Sequence, residues 1–374
     1  MRKFAAKVRT FFFTAKKIQF FMNEMPEILA LWYETHKREL PWRDDPSPYH
    51  VWLSEVILQQ TQVSQGLDYF NRFVERWPTL ADLAAADEEE VLKMWQGLGY
   101  YSRARNLHRC ARQVVEEHHG QFPELPDDLV TLKGIGSYTA AAIASIAFDK
   151  PYAVVDGNVY RVLSRLYDID TPINSNEGVK TFAELADTLL DRTHPGRHNQ
   201  AMMEFGALHC TPKNPNCLSC PLQNHCLAFS HHTVANRPVK LQKTKIRTRF
   251  LYYLVINDQQ HTFCLRKRQD NDIWKNLYDF PCVESSQSRS VDEVASSTEF
   301  KALLQHQPFQ IKHVTPPFTH KLTHQNLIAT FIEIKISSFL PSIKKNNILL
   351  VPENELDNYP IPKLIENYLK SWQA

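Results

Sequence analysis

Four cysteines lie within seventeen residues of the chain, in the order C-x6-C-x2-C-x5-C: Cys210, Cys217, Cys220 and Cys226. Four thiolates this close in sequence can bind the irons of one [4Fe-4S] cubane cluster. Zinc is the second choice, because zinc sites usually combine two Cys-x-x-Cys pairs and only Cys217 and Cys220 form such a pair. The residues between the cysteines are polar and proline-rich, so we expect the ligands on a loop that wraps around the metal.

The other three cysteines stand alone in apolar or strand-like stretches: Cys110, Cys264 and Cys282. We interpret them as small buried hydrophobes without chemistry. The total of seven cysteines is odd, and the sequence shows no cleavable secretory signal. Both observations argue against a disulfide framework and predict a reducing compartment, the cytoplasm.

The first residues have an unusual composition. Residues 1–21 contain six basic and no acidic side chains, with apolar runs too short to span a membrane. This composition resembles a targeting leader, and a start codon assigned too early is an equal alternative, with Met22 or Met25 as the true start. We therefore treat residues 1–24 as a basic extension or a misassigned start.

The apolar pattern changes once along the 374 residues, which predicts two domains. Apolar spacings of three and four predict ten helices, at 25–38, 49–58, 63–77, 80–85, 88–96, 101–118, 137–148, 159–166, 178–191 and 197–208. After a basic linker, aromatic and β-branched runs predict strands at 250–256, 262–266, 327–336 and 348–351. The predicted order is a helical domain at 25–229, the linker at 230–248 and a mixed domain at 249–374. Because the net charge is only +2, binding of nucleic acid must rest on local basic patches such as this linker.

Two glycines separate a short helix from a long alanine-rich one in the sequence LKGIGSYTA (132–140). Gly134 and Gly136 allow a sharp turn and expose amide groups beside the positive end of the helix that Ser137 opens. This helix-hairpin-helix signature predicts a seat for a DNA backbone phosphate. Alone it is a weak signal, because ordinary helix connections also contain Gly-x-Gly. Asp156 follows twenty residues later, at the entrance to the next helix.

The order of hairpin, Asp156 and cysteine loop resembles the endonuclease III superfamily of DNA glycosylases, and finer details resemble its adenine DNA glycosylase (MutY) branch. The matching motifs cover most of the chain: LPWR (40–43), WLSEVILQQTQV (52–63), WQGLGYYSRARNL (95–107), the hairpin, DGN (156–158), NQAMME (199–204) and the cysteine loop. The resemblance implies an all-α helix-hairpin-helix glycosylase domain with a [4Fe-4S] loop at 210–226, followed by an α+β domain.

Release of adenine requires an acid that protonates the base and a carboxylate that stabilises the oxocarbenium-like sugar. The resemblance assigns these roles to Glu55 and Asp156. Glu55 lies among apolar helix residues, so partial desolvation should raise its pKa. Asp156 can cap a helix at the same time, and the helix N-terminus should keep its carboxylate ionised. We expect Asn158 to support Asp156, which either attacks the sugar or only screens its charge.

Tyr138 stands at the hairpin position where bifunctional members of the superfamily carry a lysine. That lysine forms a Schiff base with the sugar and permits strand cleavage. With tyrosine, the expected product is an intact strand that contains an abasic site. The phenol can instead hydrogen-bond near Glu55 and Asp156.

Base release from a duplex also requires that the nucleotide be flipped out of the stack. By resemblance, four residues fill the gap and read the opposite base: Gln60, Thr61, Leu98 and Tyr100. Gln60 and Tyr100 would act as wedges. Arg43 and Glu204 would contact the flipped adenine.

The second domain resembles the MutT-like (Nudix-fold) domain of this branch, in W-x2-LY-x-FP (274–281) and FTHKLTH (318–324). Its expected role is recognition of oxidised guanine by Thr323 and His324. The branch usually has Phe-Ser-His where this chain has Leu322, Thr323 and His324, so the hydroxyl and imidazole remain while the aromatic ring is lost. The metal-binding box of active Nudix hydrolases is absent from the sequence, so we expect no nucleotide hydrolysis.

The leading hypothesis is a monofunctional DNA glycosylase, a hydrolase that removes adenine opposite 8-oxoguanine or guanine. We expect a monomer without membrane partners, bound to duplex DNA in the nucleoid of a bacterial cytoplasm. One alternative is a pyrimidine glycosylase and abasic-site lyase like endonuclease III, which Tyr138, Glu55 and the extra domain disfavour. The other is a non-catalytic iron-sulfur DNA-binding protein, which Glu55 and Asp156 together disfavour.

Overall fold

The fold is described from a computed structural model. The described residues are 24–241, 246–269, 272–304, 307–322, 324–340 and 347–372. The predictions for residues 1–23, for linker residues 242–245 and for Thr323 lie outside these ranges. Among the helices described, none has the length and apolar character needed to cross a membrane.

The chain divides into two compact units. Unit 1 comprises Met1–Ala84 and Arg109–Gln242, and unit 2 comprises Ala85–His108 and Lys243–Ala374. The units do not follow chain order, because the segment Ala85–His108 groups with the C-terminal part of the chain. The domain bounds proposed above, 25–229 and 249–374, remain sequence predictions.

Residues 24–230 are helical wherever they form regular structure. The helices are α1 Met25–His36, α2 Pro41–Asp44, α3 Pro48–Leu58, α4 Val63–Arg76, α5 Leu80–Ala85, α6 Glu88–Met94, α7 Ser102–Glu117, α8 Pro126–Leu129, α9 Ser137–Phe148, α10 Gly157–Leu166, α11 Asn176–Leu189, α12 Pro195–Leu208 and α13 Leu227–Ser230. The ten predicted helices are confirmed, with ends that agree to within two residues. The prediction missed α2, α8 and α13, which have four residues each and are too short to show an apolar period.

Local sequence signals start the helices that carry the candidate site. α3 begins with Pro48 after Ser47, whose hydroxyl accepts a hydrogen bond from the amide of His50. α9 follows a turn at Gly134, whose φ of 81° strongly favours glycine. α10 is capped by Asp156, as predicted. Within unit 1, α9 packs against α3 and α12, and α12 also packs against α1 and α10.

Unit 2 contains a mixed sheet. Its strands within the described residues are β1 Arg247–Asn257, β2 Thr262–Lys267, β3 Tyr278–Asp279, β4 Cys282–Ser285, β5 Phe309–Val314, β6 Phe318–Lys321, β7 Gln325–Ile336 and β8 Ile348–Pro352. β1 and β7 pair in parallel at the centre, in the order β3-β2-β1-β7-β5, while β4 pairs with β1, β6 with β7 and β8 with β2. The helices of this unit beyond β4 are α14 Val291–Ala295, α15 Thr298–Leu304 and α16 Lys363–Trp372. α14 and α15 share a core with β1 and β7, and Tyr368 of α16 stacks on Phe331 of β7 at 3.9 Å.

The four predicted strands are confirmed as β1, β2, β7 and β8. The prediction missed β3, β4 and β6, which span at most four residues, and β5, an edge strand whose side chains are mostly exposed. Such strands carry little apolar alternation. Cys110 and Cys264 are buried as predicted, whereas Cys282 is only partly buried.

Candidate active site and cysteine loop

A cleft of about 650 Å³ in unit 1 brings together seven of the predicted site residues: Arg43, Glu55, Thr61, Tyr138, Asp156, Asn158 and Glu204. Helix α3 supplies Glu55, α9 supplies Tyr138, and α12 supplies Glu204. Asp156 and Asn158 stand at the start of α10. The volume is typical of pockets that hold small molecules, and a nucleobase is within that size.

Glu55 lies on a helix whose neighbouring side chains, including Ser54 and Val56, are buried. Burial raises the pKa of Glu55 to about 7, although a hydrogen bond with Tyr138 lowers it, and the charge of Asp156 adds to the rise. The predicted direction of this pKa shift is therefore confirmed. A carboxyl group with this pKa retains much of its proton near neutral pH, which suits a general acid.

The phenol of Tyr138 lies beside this acid. Its hydroxyl donates to the sulfur of Met203 at 3.6 Å, and the group interacts electrostatically with the carboxyl of Glu55. Burial raises the pKa of Tyr138 well above its ordinary value, so the group stays neutral. The side chain can donate a hydrogen bond here, but it has no amine with which to form a Schiff base.

The carboxylate of Asp156 accepts three hydrogen bonds. The amides of Asn158 and Val159 donate to Oδ1 at 2.9 and 2.7 Å, and the side-chain amide of Asn158 donates to Oδ2 at 2.7 Å. Burial raises the pKa of Asp156, while these hydrogen bonds and the charge of Arg161 oppose the rise. The amides at the start of α10 thus favour the charged form of Asp156, although burial has the larger effect on its pKa.

Glu204 is buried in the same cleft and paired with two arginines. Arg43 donates from Nη1 and Nη2 to its two carboxylate oxygens at 3.0 and 2.9 Å, and Arg38 donates from Nε at 2.8 Å. Burial favours a higher pKa for Glu204, but the hydrogen bonds from both arginines lower it to about 2. Sequence reasoning missed Arg38, because a partner 166 residues away leaves no local spacing signal.

The residues expected to enter the DNA duplex lie in different places. Thr61 lines the cleft, and the neighbouring Gln60 is exposed with a left-handed backbone, φ 57°. Leu98 and Tyr100 lie on the loop between α6 and α7, in unit 2, where Leu98 is buried and Tyr100 is 46% exposed. His324 is exposed just before β7 in unit 2. Their contacts with DNA therefore remain predictions.

A hydrogen-bonded path leads from the carboxylate of Asp156 to the first loop cysteine. Arg161 donates from Nη2 to the side-chain oxygen of Asn158 at 2.9 Å and from Nε to the carbonyl of Cys210 at 2.8 Å. Gly206 allows the underlying packing of α12 on α10, since a Cβ atom at this position would lie only 2.7 Å from Cβ of Asn158. The start of α10 and the end of α12 are therefore held together next to the cysteine loop.

The four loop cysteines are free thiols that line a single cavity with about 330 Å³ of space not filled by atoms, part of it open to solvent. Arg165 places Nη1 3.4 Å from Sγ of Cys210. A positive charge therefore lies beside the cysteine sulfurs, which bind metal as thiolates. Within the described ranges, no three His, Cys, Asp or Glu side chains form a group that could hold a metal ion by itself. A cubane does not require such a group, because each of its four thiolates binds a different iron. The donor set therefore fits a [4Fe-4S] cluster with these cysteines as its ligands.

Three family models match the chain. A model of HhH-GPD superfamily base excision DNA repair proteins matches residues 53–186, and a model of the iron-sulfur binding domain of endonuclease III matches residues 210–226. A NUDIX domain model matches residues 252–371. These matches confirm the predicted fold class, a helical domain with an iron-sulfur loop followed by a Nudix-like domain.

Curated relatives and a solved structure agree with these models. The adenine DNA glycosylase of Buchnera aphidicola subsp. Schizaphis graminum is 32% identical over 92% of this chain and 97% of its own length. The adenine DNA glycosylase of Rattus norvegicus is 50% identical over 54% of this chain, and the match spans only 40% of that relative's length. A trapped endonuclease III–DNA covalent intermediate is 25% identical with a TM-score of 0.50, over 59% of this chain and 99% of that structure.

Proposed function

Since the chain belongs to the adenine DNA glycosylase family, we propose that it removes adenine from duplex DNA by hydrolysing the N-glycosidic bond, as a step of base excision repair. The observation that carries this proposal is the convergence of Glu55, Tyr138 and Asp156 in one cleft. The adenine would be paired with 8-oxoguanine or guanine. Action as a monomer, in the cytoplasm and on the nucleoid of a bacterium, is part of the same proposal.

Two carboxyl groups in different environments have different roles in the reaction. Glu55, kept protonated by burial, gives its proton to the leaving adenine. Asp156, whose charged form is supported by three hydrogen bonds, stabilises the positive charge that develops on the sugar. Tyr138, which lines the same cleft and interacts with both carboxyl groups, supports Glu55 as the proton donor.

The ion-paired Glu204 is suited to hold the base. Because Arg38 and Arg43 keep its pKa near 2, Glu204 is an ionised acceptor at neutral pH. The exocyclic amino group of adenine is a donor that matches such an acceptor. The four loop cysteines would hold the [4Fe-4S] cluster, and the loop ordered in this way would present Lys213, which is exposed, to a backbone phosphate.

Tyr138 supports a monofunctional enzyme over the lyase alternative. Strand cleavage through a Schiff base requires an amine in contact with the sugar. The structure has a neutral phenol beside Glu55 instead. A product with an intact backbone and an abasic site is therefore expected.

Excision from a labelled duplex tests this function. The duplex carries adenine opposite 8-oxoguanine, and a matched duplex carries adenine opposite thymine. We expect a break at the adenine only after hot alkali and only in the first duplex. Absence of any break, or a break without alkali, would contradict a monofunctional adenine glycosylase.

A further inference from the structure

The loop between α6 and α7, residues 95–101, has a backbone shape that needs support. Gly97 and Gly99 have φ values of 102° and 71°, and Tyr100 has a φ of 47°. Left-handed conformations of this kind are costly for a tyrosine. Inside the loop, the indole Nε1 of Trp95 donates to the carbonyl of Gly99 at 3.0 Å, so part of the shape is fixed by the loop itself.

Further support comes from the C-terminal part of the chain, within unit 2. The hydroxyl of Tyr101 donates to the carbonyl of Ile361 at 3.0 Å and accepts from the amide of Gly97 at 3.4 Å. The amide of Ile361 donates to Oε1 of Gln96 at 3.3 Å. Both backbone groups of Ile361 are therefore bound by the two ends of the loop, an arrangement that we call the Ile361 clamp.

The clamp rests on a rigid base. Ile361 is 2% exposed and stands between Pro360 and Pro362, whose rings restrict the backbone. The carbonyl of Pro360 accepts from the amide of Tyr278, which fastens this segment to β3. Lys93 donates both to the carbonyl of Tyr359, at 3.3 Å, and to the side chain of Gln96, at 3.1 Å.

Additional contacts fix both helices that flank the loop. Glu89 of α6 pairs with Lys267 at 3.1 Å and accepts from the hydroxyl of Tyr278 at 3.2 Å. Arg105 of α7 donates to the carbonyl of Lys275 at 2.8 Å. The loop, α6 and the first part of α7 up to His108 thus group with the Nudix-like domain in unit 2.

We propose that the Ile361 clamp makes Tyr101 and Gln96 positioning residues, through which the Nudix-like domain sets the conformation of the loop that carries Leu98 and Tyr100. This inference rests on the proposed function and on the sequence predictions that this loop enters the duplex and that the Nudix-like domain reads the base opposite adenine. Because the clamp fixes the loop to the reading domain, recognition of 8-oxoguanine is coupled to insertion of the loop. Loss of the clamp should lower the preference for 8-oxoguanine more than it lowers general activity.

The full-length variant Tyr101→Phe removes the hydroxyl from the clamp and keeps the buried ring. Tyr49→Phe is a matched control, because the hydroxyl of Tyr49 is also buried and donates to one backbone carbonyl, that of Trp77, at 2.8 Å in unit 1. We measure the single-turnover rate of adenine release opposite 8-oxoguanine and opposite guanine. We expect the ratio of the two rates to fall at least threefold in Tyr101→Phe and to stay unchanged in Tyr49→Phe.

Amide hydrogen exchange in the DNA-free protein tests the clamp without any activity. The Gly97 amide loses its acceptor in Tyr101→Phe, so we expect it to exchange at least threefold faster than in the wild type and in Tyr49→Phe. Unchanged exchange at Gly97, or an equal fall of the rate ratio in both variants, would overturn the clamp. A wild-type protein that releases no adenine would overturn the proposed function. The exchange measurement tests the clamp independently of that result, because it requires no activity.

Discussion

At the scale of single residues, Glu55 and Asp156 predict the pH dependence of the reaction. Burial raises the pKa of Glu55 to about 7, and the acid is lost as the pH rises through this value. Burial also raises the pKa of Asp156. As the pH falls, Asp156 therefore loses its charge at a higher pH than an ordinary aspartate does. We expect a bell-shaped single-turnover rate whose upper limb lies near pH 7. A rate that stays constant up to pH 9 would contradict the assignment of Glu55 as the acid.

Substitution of Glu55 separates chemistry from binding. Glu55→Gln keeps the shape of the side chain but cannot deliver a proton, so adenine release should fall by about 100-fold or more. Binding to the duplex should persist, as measured by fluorescence anisotropy. Glu34→Gln is a suitable control, because Glu34 is an exposed glutamate paired only with Lys37 in the contacts described. Release by Glu55→Gln at a tenth of the normal rate would reject Glu55 as the essential acid.

Tyr138 tests the absence of lyase chemistry. Tyr138→Lys places an amine beside Glu55, where burial should keep part of it neutral and nucleophilic. We expect some strand nicking and a covalent complex with DNA that borohydride traps. The wild-type protein should form no such complex, and trapping of the wild type to the same extent would contradict the monofunctional assignment.

At the scale of elements, the sequence predicts the helices well because the apolar faces of most of them repeat over ten or more residues. The cysteine loop and the Asp156 cap are also readable, since both depend on residues close in sequence. The pairing of Arg38 with Glu204 is not readable, because it forms only when α12 packs against α1, which ends just before Arg38. The short strands and the edge strand β5 are not readable for a related reason. Such strands form through pairing with their neighbours and not through an apolar pattern of their own.

The close contact between α10 and α12 predicts how a methyl group added at Gly206 affects stability and activity. In Gly206→Ala the new Cβ would lie 2.7 Å from Cβ of Asn158 and 3.0 Å from its carbonyl oxygen. The two helices must then separate, which should cost about 1–3 kcal/mol of unfolding free energy and displace Asn158 from Asp156. Thermal and chemical denaturation measure the stability, and single-turnover excision measures the displacement.

Gly157→Ala provides the control for this pair of helices. Gly157 begins α10, and a Cβ atom there would meet nothing within 4 Å. We expect little change in its unfolding free energy. Equal stability of the two variants would show that the close approach at Gly206 does not matter.

At the scale of the whole molecule, the two compact units are not two consecutive stretches of the sequence. Segment Ala85–His108 lies inside the helical part of the sequence, yet it groups with the C-terminal part in unit 2. The sequence could not reveal this, because the apolar faces of α6 and α7 read the same whichever partner they pack against. Unit 1 likewise extends past the cysteine loop, where Asp168 pairs with His231 and Arg237.

The two-unit organisation decides how lesion recognition should be tested. A truncated protein that ends near Leu241 would lose the Nudix-like domain and also the partners of Tyr101 and Arg105, so it would mix two effects. Substitutions in the full chain avoid this problem. The exposed His324 and its neighbour Thr323 are the groups proposed to read the oxidised base.

The combined variant Thr323→Ala with His324→Ala should therefore keep adenine release and weaken its preference for 8-oxoguanine. Each hydrogen-bonded contact to a base edge contributes about 1–3 kcal/mol of discrimination, which corresponds to about a 5- to 150-fold change in relative affinity. Phosphate contacts from the hairpin at Gly134 do not depend on the opposite base, so binding of adenine opposite guanine should change less. Competitive binding of the two duplexes measures the ratio, with His261→Ala as a control for loss of an exposed histidine elsewhere in unit 2. Equal losses for both duplexes would show that this segment supplies general affinity and does not read the base.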